Sequence, residues 1–169
     1  MTVDNQKFAT HYSSLICQAM LMSFRKTNDI HNDMHLSLHE KLGISLETGV
    51  NGTPTLRMPV AGNQQISGAL HGGATALLME SCAGIAATQW LESQNSKAGD
   101  KSQKSVAVGI DVSITHLRPA TSGWVVAEAE PVHLGRTRLI YCVEVRREAD
   151  GKLVSIGTIA HAVLPKNPV

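Results

Sequence analysis

The chain has 169 residues and a formal net charge of +1, and hydrophobic residues make up 43% of it. This length is typical of one domain that buries its own core without metal or disulfide crosslinks. The balanced charge argues against nucleic acid as a partner, and no apolar run reaches the roughly 18 residues of a membrane span.

The first part of the chain predicts a helical extension, residues 1–38, in front of a main domain, residues 39–169. Apolar side chains recur at helical spacing over residues 4–26.

The start of the chain lacks the basic and apolar regions of a secretory signal, so we expect a cytoplasmic protein. Scattered cysteines among apolar neighbours predict buried thiols rather than disulfides, at Cys17, Cys82 and Cys142.

A loop, a short helix and a β-hairpin come next. The strands ISLETGV and TLRMPVA flank an Asn-Gly pair, which favours a tight turn. Before them, His31, His35 and His39 repeat every four residues, a spacing that can bind zinc. No fourth ligand is evident, so a solvated helix face is the preferred interpretation.

Residues 72–92 predict a long helix that is apolar on nearly every face. After a polar loop come four extended runs with short turns between them, which predicts an antiparallel meander. The runs are VAVGIDVSITHL, GWVVAEAEPVHL, TRLIYCVEVRRE and KLVSIGTIAHAVL. Because an apolar helix needs cover on most sides, the sequence predicts an α+β fold, with an antiparallel sheet of about six strands wrapped around a central helix.

A single acid, Glu80, interrupts the long helix, with Leu78, Met79 and Ala83 among its neighbours. An unpaired buried carboxylate is costly, so it either shifts its pKa or finds partners. The plain alternative is an acid that points to solvent or meets an arginine. The apolar surroundings favour a buried acid that serves a functional site.

The same helix starts with His71, Gly72 and Gly73. Glycines let a ligand approach the backbone, and the unpaired N–H groups of a first helical turn suit an oxyanion or a thioester carbonyl. Glu80 follows Gly73 by seven residues, about 10.5 Å along a helix. A water on the acid and a carbonyl on the glycines must meet at one carbon atom. Two antiparallel copies achieve this better than one, which predicts a site shared within a homodimer.

The segment LHGGATALLMESCAGIAA, followed by VGIDVSITHLRPATSGWVVAEAEPVHLGRTRLIYCVEVRREADGKLV, resembles the hotdog-fold acyl-CoA thioesterases. The nearest branch is that of the phenylacetate-pathway and hydroxybenzoyl-CoA thioesterases, and the chain is also similar to the enterobactin-pathway proofreading thioesterase. The resemblance spans residues 40–164 and follows ordered landmarks: HGG, the helix acid, an LRP turn and an HLGR turn. It implies hydrolysis of an acyl- or aryl-CoA thioester to the free acid and coenzyme A. It further implies no cofactor beyond the coenzyme A of the substrate, no metal, and a homodimer that pairs into a dimer of dimers.

The resemblance also implies catalytic roles. Glu80 would be the general base or the nucleophile, and the Gly72 N–H would polarise the thioester carbonyl. His71 is the histidine of the HGG landmark, and Gln65, six residues earlier, matches a glutamine of the family. Both would orient the carbonyl.

Further residues are expected to bind the substrate. His116 and Gly109 match substrate-contacting positions of the proofreading branch, and Gly73 adds a second backbone N–H beside Gly72. Arginines in or beside turns could hold coenzyme A phosphates as charged donors, although ordinary surface arginines are an equal alternative. These arginines are Arg118, Arg136 and Arg138.

One position departs from the family. Aryl-CoA members commonly carry Ser or Thr one helical turn after the acid, where it holds the water, and this chain has Gly84 there. Ser81 lies about 100° round the helix and cannot simply substitute. Gly84 therefore leaves open slower hydrolysis, a different way of holding the water, or room for a larger acyl group.

Two other functions stay open. Gly84 is compatible with a non-catalytic module that binds acyl-CoA or regulates through it. A hotdog dehydratase or hydratase is disfavoured, because the Asp-x-Asn-Pro-x-His pattern of one such branch is missing. The acyl group is undecided, since His116 favours polar aryl groups and the Met-rich segment CQAMLMSF favours aliphatic chains. The choice between coenzyme A and a carrier protein is likewise open.

Overall fold

The computed structural model describes residues 37–49, 54–97 and 105–165. Several sequence predictions fall outside these residues: the helix over 4–26, the Met-rich segment CQAMLMSF, the Asn-Gly turn, and the positions of Cys17, His31 and His35. In chain order the elements are α1 (Leu38–Lys41), β1 (Ser45–Thr48), β2 (Pro54–Pro59), α2 (Gly72–Lys97), β3 (Ser105–His116), β4 (Trp124–Leu134), β5 (Arg138–Arg147) and β6 (Leu153–Pro165). The predicted short helix, long helix and extended runs are thereby confirmed.

The strands form one antiparallel sheet in the order β1-β2-β4-β5-β6-β3. The predicted meander holds for β4 to β6 and is wrong for β3, which pairs with β6 at the edge of the sheet. The reason is the connection 117–123, which is too long to force a hairpin. It passes the start of β6 instead, where the N–H groups of Leu117 and Arg118 donate to the Val154 carbonyl.

Helix α2 packs against one face of the sheet and contacts β2 to β6. The core between them is made of large side chains with no exposed surface, among them Met58, Leu78, Met79, Leu139 and Ile159. Burying one such side chain stabilises the fold by about 1.5–3 kcal/mol. This core fixes the axis of α2 over the sheet, and therefore fixes where each of its turns lies.

The prediction that α2 is covered on most sides agrees with the structure, in which only Gly73, Glu80, Glu92 and Ser93 are exposed among the helix positions whose burial is described. The helix buries one face, formed by Leu78, Met79, Cys82, Ala83 and Ala87, and leaves other positions half-buried or exposed. Several of its apolar residues are alanine or glycine, which expose little hydrophobic area and so do not require cover.

The cysteine predictions hold in part. Cys82 is fully buried and its thiol donates to the Ala127 carbonyl at 3.4 Å. Burial raises the pKa of Cys82 to about 12, so this thiol stays protonated and unreactive. Cys142 is also a free thiol but is only half-buried.

Candidate active site

The start of α2 is fixed by a buried asparagine in the preceding connection. The Asn63 side chain donates to the carbonyls of Leu42, at 2.8 Å, and Pro59, at 2.9 Å. Its own backbone carbonyl accepts the His71 N–H at 2.8 Å. Asn63 therefore joins the end of α1, the end of β2 and the first turn of α2. A polar residue in a loop gave no sequence signal for this role.

The HGG motif uses its two glycines differently. The Nδ1 atom of His71 accepts a hydrogen bond from the Gly73 N–H at 2.9 Å, so His71 caps the helix. In the described part of the chain, no hydrogen bond uses the Gly72 N–H. Of the two backbone donors predicted at this helix start, the Gly72 N–H is available for a ligand, and the Gly73 N–H is bonded to His71.

A cleft of about 360 Å³ lies beside this helix start. It brings together four of the predicted site residues, Gln65, Gly72, His116 and Arg118. Apolar side chains such as Leu70 and Val154 form other parts of its wall. Polar donors on an apolar surface are typical of pockets that hold a small organic ligand in one orientation.

His116, the last residue of β3, is held by a partner on β6. Its Nδ1 atom lies 2.9 Å from the hydroxyl of Ser155, which is fully buried. Its Nε2 atom would be 2.8 Å from a Cβ placed on Gly72. The residue at position 72 must therefore be glycine for the ring to come this close. Ser155 was missed because its role depends on the β3–β6 register, which places it opposite His116.

Glu80 is not in this cleft. It lies eight residues beyond Gly72, roughly 12 Å along the helix, and its side chain is exposed in the single chain. The prediction of a buried acid is therefore wrong for one chain alone, because its neighbours on that flank are small. The Oε1 atom lies 2.9 Å from the position of a Cβ on Gly109, beside the bulge that interrupts the β3–β6 register.

A histidine that sequence reasoning missed lies next to Glu80. His161, on β6 opposite Gly109, is only 2% exposed. Its Nε2 atom lies 3.8 Å from the position of a Cβ on Gly84. Burial lowers the pKa of His161, and the negative charge of Glu80 partly opposes that shift. The signal was present in the sequence, since Ile159 and His161 occupy the same face of a strand with period two.

The structure separates Arg118 from Arg136 and Arg138, the other two arginines expected to hold phosphates, since Arg138 begins β5 two residues after Arg136. Arg118 lines the cleft before the start of β4, and its Nη1 donates to the Leu153 carbonyl at 3.0 Å. Arg136 follows the end of β4. A strand of this length spans roughly 33 Å, so Arg118 and Arg136 of one chain cannot hold the same phosphate group.

His39 packs against α2, which differs from the solvated face expected for it. Its Nε2 atom lies 2.7 Å from the Ser81 hydroxyl, and burial lowers the pKa of His39.

Among the described residues, no three His, Cys, Asp or Glu side chains are grouped so as to hold a metal ion. No helix in the described ranges is long and apolar enough to cross a membrane.

The profile of the thioesterase superfamily matches residues 67–154, which include α2 and the strands β3, β4 and β5. A Bacillus subtilis protein, ComA2, provisionally named an esterase, is 32% identical over 135 residues, which are 79% of this chain and 99% of that one. A 1,4-dihydroxy-2-naphthoyl-CoA hydrolase of Listeria monocytogenes is 26% identical over 132 residues, 78% of this chain and 98% of that one. The crystal structure of a thioesterase from Haemophilus influenzae superposes with a TM-score of 0.68 at 28% identity, covering 79% of this chain and 87% of that one.

Proposed function

The chain belongs to the thioesterase superfamily, with its hotdog fold, and is a thioester hydrolase; from this premise we propose that it cleaves acyl- or aryl-CoA thioesters to the free acid and coenzyme A. The observation that carries the proposal is the unused Gly72 N–H beside His116 in the cleft. A relative named as a hydrolase of an aromatic acyl-CoA supports this substrate class.

The thioester carbonyl binds at the start of α2. The Gly72 N–H donates to its oxygen and stabilises the negative charge that develops there, with the positive end of the helix dipole behind it. Gln65 and His116 orient the acyl part in the cleft. His71 acts less directly than expected, because its Nδ1 atom is engaged with the Gly73 N–H.

Glu80 supplies the base. In the described residues no hydrogen bond reaches its carboxylate, and its side chain is exposed, so it is free to take a proton from water. The hydroxide attacks the carbonyl carbon, the carbon–sulfur bond breaks, and the thiolate of coenzyme A recovers the proton from Glu80. Direct attack by Glu80 through a mixed anhydride, then hydrolysed by water, is the other route open to the same carboxylate.

Two chains are needed to bring these groups together, because roughly 12 Å of helix separates Gly72 from Glu80. The edge strand β3 supports such a dimer. It is 12 residues long and exposes Val108, Ile110 and Val112. A long apolar strand edge is a template for pairing with a second chain. Glu80 of one subunit would then act beside Gly72 of the other, and such dimers would pair further into tetramers.

Coenzyme A enters and leaves with the substrate, and the proposed chemistry needs no resident cofactor or metal. Arg118 in the cleft is suited to a phosphate of coenzyme A through its charged donors. Arg136 can contact the same phosphate as Arg118 only if it comes from the partner subunit. We place the reaction in the cytoplasm, where acyl-CoA substrates are made and used.

Replacing the acid tests this function. Glu80→Gln keeps the size of the side chain and removes the base, so we expect kcat to fall roughly 10²- to 10⁴-fold. Free thiol released from a panel of acyl- and aryl-CoA thioesters provides the measurement. Glu92→Gln, the same charge change three turns further along α2, is the matched control and should keep wild-type turnover. Near-normal hydrolysis by Glu80→Gln would refute the assignment, and wild-type binding without thiol release would indicate a binding module instead.

A further inference from the structure

His161 is a buried titratable group that the proposed chemistry does not yet use. Its ring is 2% exposed, and in the described part of the chain its Nδ1 atom has no hydrogen-bond partner. Tyr141 packs against it edge-on, with the ring centroids 6.3 Å apart. A leucine or phenylalanine at this position would fill the space without an unsatisfied polar atom. Retaining an imidazole here therefore points to a use for its other nitrogen.

That other nitrogen faces the flank of α2 that carries Glu80. Nε2 lies 3.8 Å from the Cβ position of Gly84, which is one turn beyond the acid. Across the sheet, His161 pairs with Gly109, and the Glu80 Oε1 atom is 2.9 Å from the Cβ position of Gly109. Side chains opposite each other in a sheet have their Cβ atoms about 4.5–5.5 Å apart. These contacts place the imidazole and the carboxylate on two sides of one small space, which two glycines keep open.

The proton of the ring belongs on Nε2. A buried acceptor without a partner is tolerated better than a buried N–H donor without one. Nδ1, which lacks a partner, is therefore the unprotonated nitrogen of the neutral ring, and Nε2–H is a donor. Burial also lowers the pKa of His161, which keeps the ring neutral near pH 7.

We propose that His161 is a positioning residue whose Nε2–H donates to the attacking water while that water donates to the Glu80 carboxylate. The inference rests on the proposed function, since it assigns the second hydrogen bond of the same water. One donor and one acceptor then fix the water, and a lone pair of its oxygen is left to point at the thioester carbon. Gly84 has no side chain that could do this, and the imidazole reaches the same space from β6.

The test removes the donor and then restores one from the helix. His161→Phe keeps an aromatic ring against Tyr141 and should lower kcat about 10- to 100-fold, with KM nearly unchanged. Adding Gly84→Ser to this variant introduces a hydroxyl at a position where, in the wild type, the nearest atom to a Cβ is the His161 Nε2 at 3.8 Å. We expect the double variant to recover at least about a third of the decrease in log kcat that His161→Phe causes. Ile159→Val, on the same strand and equally buried, controls for a packing change and should keep wild-type kcat.

His161→Gln provides a second route if the phenylalanine variant does not fold. It keeps an N–H donor near the position of Nε2, so it should lose less turnover than a variant without a donor, His161→Leu. Wild-type kcat in His161→Leu or His161→Phe would overturn the inference, as would a loss that Gly84→Ser does not reduce. If Glu80→Gln is inactive in the same assays, such a result removes only the role of His161. If Glu80→Gln is active, the proposed function itself fails.

Discussion

Gly72, Gly84 and Gly109 each make room for a side chain of the candidate site that lies far away in the sequence. A Cβ on Gly72 would lie 2.8 Å from His116, and one on Gly109 would lie 2.9 Å from Glu80. Gly84 has more space, with His161 at 3.8 Å. The sequence marks Gly72 through its place at a helix start. It cannot say what Gly109 or Gly84 makes room for, because the neighbouring side chain comes from another element in each case.

The backbone donor of Gly72 can be isolated with a pair of variants. Gly72→Ala and Gly72→Pro both add a Cβ that displaces His116, but only proline removes the N–H. Proline is tolerated at the first position of a helix, so the fold should persist. We expect kcat/KM of the proline variant to be lower than that of the alanine variant by about 10²-fold or more. Thermal unfolding checks that both variants fold, and equal kcat/KM values would mean that this N–H does not bind the carbonyl.

At the scale of elements, the helices and strands and their approximate limits could be predicted from the sequence, except that α2 continues from the predicted end at 92 to Lys97. The order of the strands in the sheet could not be predicted. Alternating apolar residues mark β3 as clearly as β4, β5 and β6. They carry no information about which strand is its neighbour, and the connection 117–123 allows both arrangements. The position of β3 matters for function, because at the edge of the sheet it exposes Val108 and Ile110. Both residues lie next to the β3 bulge that the Glu80 side chain approaches from α2.

A charge on this edge strand tests its role in dimer formation. Ile110→Lys places a cation in the proposed contact between β3 strands, where burying it costs several kcal/mol. We expect sedimentation velocity to report a monomer, with loss of thioester hydrolysis. Val132→Lys makes the same change at an apolar residue of β4 that is 65% exposed, and it should leave the dimer and its activity intact. A dimer in Ile110→Lys would assign the contact to another surface.

At the scale of the whole molecule, the proposed mechanism divides the groups of one chain into two halves of a site. The carbonyl-binding half lies at the cleft with Gly72 and His116, and the acid half lies at Glu80 with Gly109 and His161. The sequence indicated this division through the spacing of the HGG motif and the acid. It wrongly placed Glu80 inside the single chain, because apolar composition does not distinguish a surface covered by the same chain from one that a second chain would cover.

Mixing two inactive variants tests this division most directly. Glu80→Gln lacks the acid and Gly72→Pro lacks the backbone donor, so each homodimer should release thiol at about 1% of the wild-type rate or less. After subunit exchange at equal amounts, half of the dimers are mixed and each contains one intact site, so activity should return to about a quarter of the wild-type value. If both groups of a site came from the same chain, every site would keep one lesion, and the mixture would stay as inactive as its two components.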